Sequence, residues 1–201
     1  MSQTTPDTDT ANEASPGKLF IVSAPSGAGK TTLCDAVKHR FADLAYSISS
    51  TTRSPRPGET HGKDYFFIGR EAFEKGIAEG RWAEWANVHG NLYGTSAEWI
   101  ARTLAQGKDI LMDIDVQGTR QLLQRFPDAI TIFITPPSME VLEERLRKRG
   151  GDDEESIAIR LQNAQAEMGQ KDLYRHVLVN DDLKLAKRTF ISIIESNRIS
   201  T

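Results

Sequence analysis

The stretch "SAPSGAGKTT", residues 23–32, decides the fold, because it has the composition of a phosphate-binding loop. It overlaps the end of the apolar run "LFIVSA" (19–24), and apolar residues at helical spacing follow it. The strict pattern G-x-x-x-x-G-K-[ST] is not matched, since Ala24 stands at the first glycine. A methyl group is tolerated there if Ala24 ends the strand with a negative φ. We therefore expect a loop that holds nucleotide phosphates.

The second half of this loop carries the expected phosphate chemistry. Lys30 can reach the β- and γ-phosphates of a triphosphate, and Thr31 can offer its hydroxyl to Mg²⁺. Gly27 and Gly29 allow backbone conformations that turn successive N–H groups towards an anion. A glycine-rich turn that binds nothing is the alternative, but a lysine beside a helix N-terminus is unfavourable unless an anion binds there. The predicted ATP-contacting residues of the loop are Ala24, Pro25, Ser26, Gly27, Ala28, Gly29, Lys30, Thr31 and Thr32.

Composition limits the class of protein. A length of 201 residues suits one domain, or one core with insertions, and the net charge of −3 argues against a general nucleic-acid-binding surface. The single cysteine, Cys34, excludes an internal disulfide framework and fits a reducing compartment. No apolar run approaches the roughly 20 residues of a membrane helix. Residues 1–17 are polar and lack the apolar segment of a secretory signal, which predicts a disordered tail and a cytoplasmic protein.

Short apolar runs alternate with helical patterns along most of the chain. The predicted strands are 19–24, 46–49, 110–114, 131–135 and 176–180. The last is followed by a closing helix with Asp181 or Asp182 as its N-cap. This alternation predicts an α/β fold in which helices flank a parallel sheet. The predicted core consists of residues 18–48, 96–137 and 171–201.

Two insertions interrupt the core. Residues 49–95 are richer in Pro, Gly, Trp and Tyr, which indicates a small mixed or antiparallel α/β unit. Residues 138–170 are charged and helical, and "RGGDD" (149–153) divides them into two helices, with Asp152 or Asp153 capping the second. Two arms that close over a phosphate loop are typical of an enzyme that excludes water.

A basic loop in the first insertion indicates a second phosphate site. Arg53 and Arg56 lie close together, and Pro55 and Pro57 stiffen the chain around them. Tyr65 follows shortly afterwards. Two guanidinium groups and a phenol that converge on one phosphate form a strong clamp for a dianion. A solvated basic loop is the alternative, but the stiffening by proline favours a pre-organised binding loop.

The sequence resembles the guanylate kinase family, and the resemblance extends from about residue 18 to the end of the chain. It rests on "SAPSGAGKTT", "SSTTRSPRPGE..GKDYFF", "EWANVHGNLYGT", "ILMDIDVQG", "ERLRKRG...EESIAIRL" and "VNDD", in this order and spacing. The resemblance implies a P-loop fold with a GMP-binding insertion and a helical lid. It also implies Mg²⁺-dependent transfer of the γ-phosphoryl group of ATP to GMP, and to dGMP, in purine nucleotide metabolism.

The resemblance further implies that Ser49, Glu84 and Asp115 recognise guanine. Two carboxylates suit the N1–H and 2-amino donors of guanine, and a hydroxyl suits its O6 acceptor. Adenine would turn a bare N1 acceptor towards a carboxylate, and a site built from polar groups rejects such a partner strongly. Without the resemblance, Glu84 between Trp82 and Trp85 would be interpreted as an exposed charge.

The remaining site residues are also implied by the resemblance. The GMP-binding residues besides the base readers are Arg53, Arg56, Tyr65, Tyr93 and Thr95, the last at a position where many members have serine. Asp113 is the implied acid that orients Mg²⁺, partly through water, and Asn180 joins the ATP-binding residues. The implied catalytic residues are Lys30, Arg53, Arg145, Arg149 and Arg160. For the lid arginines, a solvated helix face explains the charge pattern equally well if the resemblance is set aside.

Three other functions compete with this interpretation. The protein could be a kinase for another monophosphate or for a phosphorylated sugar, but such a substrate offers fewer hydrogen-bond donors to Glu84 and Asp115. A catalytically inactive module that binds partner proteins would lack Lys30, Thr31 and the lid arginines. A GTPase switch needs an N-K-x-D motif, and the nearest stretch, "VNDD", has no lysine. We expect ATP and GMP as partners, with no nucleic acid and no membrane, and the sequence leaves monomer and homo-oligomer open.

Overall fold

A computed structural model of the chain describes residues 15–88, 90–151 and 153–199. Residues 1–14 of the predicted tail lie outside the described residues. Gly17, the last residue of the predicted tail 1–17, is described, and it donates its backbone N–H to the carbonyl oxygen of Leu104 over 2.8 Å. This hydrogen bond joins the start of the described chain to the core.

The described residues form nine strands and seven α-helices, which are arranged largely as the alternation predicts. The strands are β1 (Leu19–Ser23), β2 (Ala45–Tyr46), β3 (Ser50–Thr51), β4 (Phe66–Phe67), β5 (Trp82–Val88), β6 (Asn91–Ser96), β7 (Ile110–Asp113), β8 (Ile130–Thr135) and β9 (His176–Val179). The helices are α1 (Lys30–Arg40), α2 (Arg70–Ala78), α3 (Ala97–Ala105), α4 (Val116–Arg125), α5 (Met139–Arg149), α6 (Glu154–Met168) and α7 (Leu183–Ile199). Within the described ranges, no helix has both the length and the apolar character needed to cross a membrane.

The core is a parallel sheet with the strand order β2-β7-β1-β8-β9. Alternate side chains of β1 point to opposite faces, so Phe20 and Val22 pack with α1 and α7, whereas Ile21 packs with α3 and α4. These side chains are fully buried. A parallel sheet covered on both faces brings the carboxyl ends of its strands to one open edge, which is where ligands bind in such folds.

The first insertion is a separate four-stranded sheet with the order β4-β3-β6-β5, and it is mixed, as predicted. The predicted strand 46–49 is wrong in extent, because β2 ends at Tyr46 and β3 of the second sheet begins at Ser50. Ser47 still donates its N–H to the carbonyl oxygen of Leu111, and the chain then crosses between the sheets. The apolar Ile48 within this crossing gives it the alternating pattern of a strand.

Helices α5 and α6 form a hairpin whose ends have the predicted caps. Gly150 and Gly151 adopt positive φ values of 70° and 89° between the helices. Asp153 accepts the N–H of Ser156 over 2.8 Å and is the N-cap of α6, whereas Asp152 lies outside the described residues. At the start of α7, Asp182 accepts the N–H of Leu185 over 2.6 Å, so of the two proposed aspartates Asp182 is the cap.

We predict that Gly76→Ala destabilises the protein, although alanine favours a helix over glycine by about 0.5–1 kcal/mol. The added Cβ would lie 2.8 Å from Nε1 of Trp82 and 3.0 Å from its ring. That ring stacks on Phe73 with 4.4 Å between centroids, and its Nε1 donates to the Phe73 carbonyl oxygen. Displacing it costs about 1–3 kcal/mol, as overpacked cores do. Chemical denaturation followed by circular dichroism measures the change.

The control is Ala72→Gly, an exposed position in the same helix where only helix propensity changes. We expect a loss of about 0.5–1 kcal/mol in that variant. A Gly76→Ala protein that is more stable than the wild type would contradict the packing role of Gly76.

Candidate active site

The phosphate loop leaves the carboxyl end of β1 and enters α1. Ala24 follows directly after the last residue of β1 and packs partly buried against the core. Gly27 and Gly29 have φ values of 91° and 93°, and Gly29 is the N-cap of α1. Both glycines adopt conformations that other residues rarely take, which explains why they stand at these positions.

Asn180 supports this loop from the end of β9. Its buried side-chain amide donates to the carbonyl oxygen of Ala28 over 2.7 Å. A Cβ atom at Gly29 would lie 2.4 Å from the same amide nitrogen, so the glycine also allows this close approach. The predicted ATP-binding residue Asn180 therefore contacts the loop itself.

Lys30 and Asp113 form an ion pair at the open edge of the core sheet. The pairing of Val22 with Asp113 brings the end of β7 beside the loop, and Lys30 Nζ contacts Asp113 Oδ1. Burial lowers the pKa of Lys30, but the adjacent Asp113 carboxylate outweighs it and the net pKa is raised. The phenol of Tyr46 donates to Asp113 Oδ2 over 3.5 Å. Lys30 is thus held as a cation at the end of the loop.

A cavity of about 570 Å³ lies over the phosphate loop. Its lining residues are Ala24, Pro25, Ser26, Gly27, Gly29, Lys30, Thr31, Thr32, Arg145, Arg149 and Glu167. The two arginines come from α5, and Arg145 Nη2 also donates to the carbonyl oxygen of Asn180 over 2.9 Å. Glu167 comes from α6, and burial raises its pKa against the opposing effect of Lys30. The cavity therefore brings the glycine-rich loop and two guanidinium groups to one space.

A second cavity of about 330 Å³ opens between the core and the small sheet. Its lining residues are Lys30, Ser49, Tyr65, Glu84, Ala86, Val88, Tyr93, Asp113, Ile114 and Asp115. Lys30 lines both cavities, so the two are adjacent at this side chain. Anions in the two cavities would therefore share one cation.

Glu84 is buried on β5 with an exposure of 6%, so the interpretation as an exposed charge is wrong. Its Oε1 accepts the hydroxyl of Thr95 over 2.7 Å, and that hydroxyl lies 3.3 Å from the hydroxyl of Ser49. Burial raises the pKa of Glu84 to about 7, the Thr95 hydrogen bond opposes the rise, and nearby Asp115 adds to it. This carboxyl group is buried where a ligand with hydrogen-bond donors could reach it.

Asp115 lies near Glu84 and is the N-cap of α4. Its Oδ1 accepts the N–H of Gly118 over 2.7 Å. A Cβ atom at Gly118 would lie 3.0 Å from Oε2 of Glu84 and 3.4 Å from Oδ1 of Asp115. The two carboxylates therefore both lie beside Gly118, close to one another.

Arg53 is held by an ion pair that the sequence interpretation did not include. Its Nη1 and Nη2 donate to Glu59 Oε2 and Oε1 over 2.9 and 2.8 Å, and its Nε donates to the hydroxyl of Tyr93 over 3.2 Å. Hydrogen bonds from Arg53 and from the backbone of Arg56 lower the pKa of Glu59 to about 2. The guanidinium group also lies 5.5 Å from the ring centre of Tyr65. These contacts fix Arg53 near the phenols of the second cavity.

The structure brings most of the predicted site residues to these two cavities. Six of the predicted residues, all within the described ranges, line neither cavity: Ala28, Arg53, Arg56, Thr95, Arg160 and Asn180. Arg53 and Thr95 contact lining residues through hydrogen bonds, as described above. Arg56 is exposed in its loop, and Arg160 is partly buried on α6.

Asp113 and Thr31 are the groups that fit a magnesium ion. In the parts of the chain that the structure describes, no three His, Cys, Asp or Glu side chains cluster as a ready-made metal cage. Mg²⁺ is commonly held by one or two protein oxygens, substrate phosphates and water, so it needs no such cage. Thr31 is exposed in the first turn of α1, and Asp113 lies at the neighbouring strand end. This donor set suits a metal that arrives with a nucleotide.

Three side chains in or beside the site were missed from the sequence: Glu59, Glu167 and Gln121. Glu59 follows the two arginines within "RSPRPGE", a local signal that could have paired it with Arg53. Gln121 donates to and accepts from the backbone of Trp85, 36 residues away. Glu167 lies 137 positions after Lys30 in a charged helix. No local pattern marks either of the last two.

Several known proteins are similar in sequence to this chain over most of its length. The family model described as guanylate kinase matches residues 16–197. The guanylate kinase of Carboxydothermus hydrogenoformans is 45% identical over 91% of this chain and 90% of its own length. That of Syntrophotalea carbinolica is 51% identical over 89% of this chain and 85% of its own.

A solved structure gives the same result for the fold. The crystal structure of guanylate kinase from Anaplasma phagocytophilum superposes with a TM-score of 0.72, covering 93% of this chain and 89% of that chain at 31% identity. The phosphate loop, the mixed sheet and the helical hairpin thus occur here in a chain whose sequence and fold match the same group of enzymes, and the protein belongs to the guanylate kinase family.

Proposed function

We propose that this protein transfers the γ-phosphoryl group of ATP to GMP, and to dGMP, in a Mg²⁺-dependent reaction that yields ADP and a guanosine diphosphate. One observation carries the proposal: Lys30 lines both the cavity over the phosphate loop and the cavity that contains Glu84 and Asp115. A donor phosphate in the first and an acceptor phosphate in the second would meet at this cation.

The donor side of the site suits a triphosphate. The N–H groups of the loop and the N-terminus of α1 favour anions. Mg²⁺, when bound at Thr31 and Asp113 with the nucleotide, would neutralise charge on the β- and γ-phosphates. Lys30 would exchange its contact with Asp113 for one with these phosphates. We assign Asn180 the role of holding the loop in shape, through its bond to Ala28.

The acceptor side suits guanine more than any other base. The carboxylates of Glu84 and Asp115 would accept the N1–H and 2-amino groups, and Ser49 would donate to O6. Thr95 orients Glu84 through its hydroxyl. A buried carboxylate left without a donor is costly, so adenine, which has no N1–H, is disfavoured.

The GMP phosphate would bind beside Arg53, Arg56 and the phenols of Tyr65 and Tyr93. Glu59 keeps Arg53 pre-oriented before the ligand arrives, which reduces the entropy lost on binding. Arg56 is exposed, and we propose that it turns towards the phosphate when GMP enters.

The transfer step needs positioning and charge neutralisation rather than a general base, because the attacking phosphate oxygen is already anionic. Lys30, Arg145 and Arg149 surround the position of the transferred group, and Arg160 would join them when α5 and α6 close over the loop. Closure would also exclude water and so prevent hydrolysis of ATP.

We propose that the chain consists of three functional units. Residues 49–95 bind GMP, residues 138–170 form the lid, and the core comprises residues 18–48, 96–137 and 171–201. The single buried cysteine, Cys34, is compatible with a reducing cytoplasm.

The decisive experiment measures ADP formation from MgATP with GMP, dGMP, AMP, CMP and UMP as alternative acceptors. We expect turnover with GMP and dGMP and a preference over AMP of at least about a hundredfold in kcat/KM. Equal activity with AMP would overturn the roles of Glu84 and Asp115. Inactivity with every acceptor would instead favour a module that binds nucleotides or proteins without catalysis.

We predict that Arg149→Ala lowers kcat by about a hundredfold or more, because a guanidinium group that neutralises the transferring phosphoryl group acts mainly in the transition state. The KM for GMP should change by less than about threefold, since Arg149 lines the other cavity. Steady-state kinetics with varied GMP measures both constants.

Arg147→Ala is the matched control on the same helix. Arg147 donates to Glu143 over 3.0 Å and pairs with Glu154, so it is engaged away from the phosphate loop. Its loss should leave kcat near the wild-type value. An Arg149→Ala enzyme with unchanged turnover would refute the catalytic role of Arg149.

We predict that the stability of the nucleotide-free protein falls as pH rises from about 4.5 to about 7, relative to the Glu84→Gln variant. The raised pKa of Glu84 means that the folded protein keeps a proton in this window that the unfolded chain has released. The difference in unfolding free energy between the two proteins should change by about 3 kcal/mol across the window.

Urea denaturation at several pH values tests this expectation. Glu98→Gln, which removes an exposed glutamate of α3, controls for the loss of one carboxylate. A constant difference between the wild type and the Glu84→Gln variant would show that Glu84 titrates at its ordinary pKa.

A further inference from the structure

Gln121 forms an unusual link between the core and the small sheet. Its side-chain Oε1 accepts the backbone N–H of Trp85 over 3.0 Å, and its Nε2 donates to the backbone carbonyl oxygen of Trp85 over 2.8 Å. Strand β5 is at the edge of its sheet, so these backbone groups of Trp85 face away from β6. The amide of Gln121 thus binds both groups as a neighbouring strand would.

This link lies directly beside Glu84. The ladder between β5 and β6 shifts register between Trp82 and Glu84, so the strand is irregular where it presents the buried carboxyl group. Such bulges re-aim side chains, and they also weaken the ladder as a means of fixing position. Gln121 holds Trp85, the residue that follows Glu84 directly after this irregularity.

The same helix also holds the second carboxylate. Asp115 caps α4 through Gly118, and Gln121 follows in the next turn of that helix. Gly118 lies beside the carboxylates of both Glu84 and Asp115, and a methyl group there would be only 3.0 Å from Glu84 Oε2. One helix therefore fixes Asp115 directly and fixes the strand of Glu84 through Gln121.

We propose that Gln121 is a positioning residue that sets the separation of Glu84 from Asp115 and thereby determines specificity for the base. This inference rests on the proposed function, in which both carboxylates accept donors from one edge of guanine. Two acceptors recognise two donors together only when their spacing matches, because hydrogen bonds weaken steeply away from their preferred distance and angle. Without the link, β5 could shift against α4 while each carboxylate stayed intact.

The test compares GMP with inosine monophosphate, which retains N1–H and O6 but lacks the 2-amino group. Gln121→Met keeps the length of the side chain and removes both hydrogen bonds. We expect the KM for GMP to rise about tenfold and the ratio of kcat/KM for GMP over inosine monophosphate to fall at least about threefold. The kcat with GMP at saturation should change by less than about twofold.

Gln124→Met is the matched control, an exposed glutamine on the same helix given the same substitution. It should retain the wild-type ratio. Gln121→Asn is the second variant if Gln121→Met does not fold, because the shorter amide remains polar but cannot span both backbone groups of Trp85. A preference for GMP within about twofold of wild type in a folded Gln121 variant would overturn the proposal, whether or not its thermal midpoint falls.

Amide hydrogen exchange at Trp85 separates failure of this inference from failure of the proposed function. Loss of the Gln121 acceptor should accelerate exchange at that amide in the nucleotide-free protein by about tenfold or more. A wild-type protein inactive with GMP would refute the proposed function and leave this readout intact. Unchanged exchange in the Gln121→Met variant would refute the link itself.

Discussion

The ion pair between Lys30 and Asp113 is the interaction on which the rest of the site depends. It joins the residue that starts α1 to the residue that ends β7, and the adjacent parallel strands β1 and β7 bring the two together. Both side chains are mostly buried, with exposures of 22% and 21%, so neither could lose its partner cheaply. A ligand that replaces one partner must therefore bring its own charge. In the proposed reaction, a nucleotide phosphate with Mg²⁺ would do so for both.

Charge in the site is separated although the whole chain is nearly neutral, with a net charge of −3. Cations surround the phosphate loop and the Tyr65–Tyr93 side of the second cavity. The carboxylates of Glu84 and Asp115 line the same cavity. A ligand with an anionic end and an end rich in donors would be oriented by this polarity alone. The proposed acceptor, GMP, has both ends.

Local sequence order predicted where the phosphate loop lies in the fold, between the first strand and the helix that follows it. The phosphate loop, its lysine and the acid at the end of β7 depend on strand-to-loop order, which the apolar runs reveal. The acceptor half depends on contacts between distant residues. The burial of Glu84 follows from a register shift beside Trp82, and the two tryptophans around it predict an exposed charge instead. The strand predicted at 46–49 failed for a related reason, because the crossing from one sheet to the other leaves no mark in the apolar pattern.

Each half of the site is tied to the core by one side-chain amide. Asn180 donates to Ala28 in the loop, and its own backbone carbonyl accepts Arg145 of the lid, so the end of β9 connects the donor half to α5. Gln121 on α4 connects the acceptor half to the same core. Amides suit this purpose, because they donate and accept at once without adding charge to a site where charge must be reserved for the ligands. The lid arginines lie outside the core. Closure of the lid could therefore bring cations to the phosphates without altering the proposed spacing of Glu84 and Asp115.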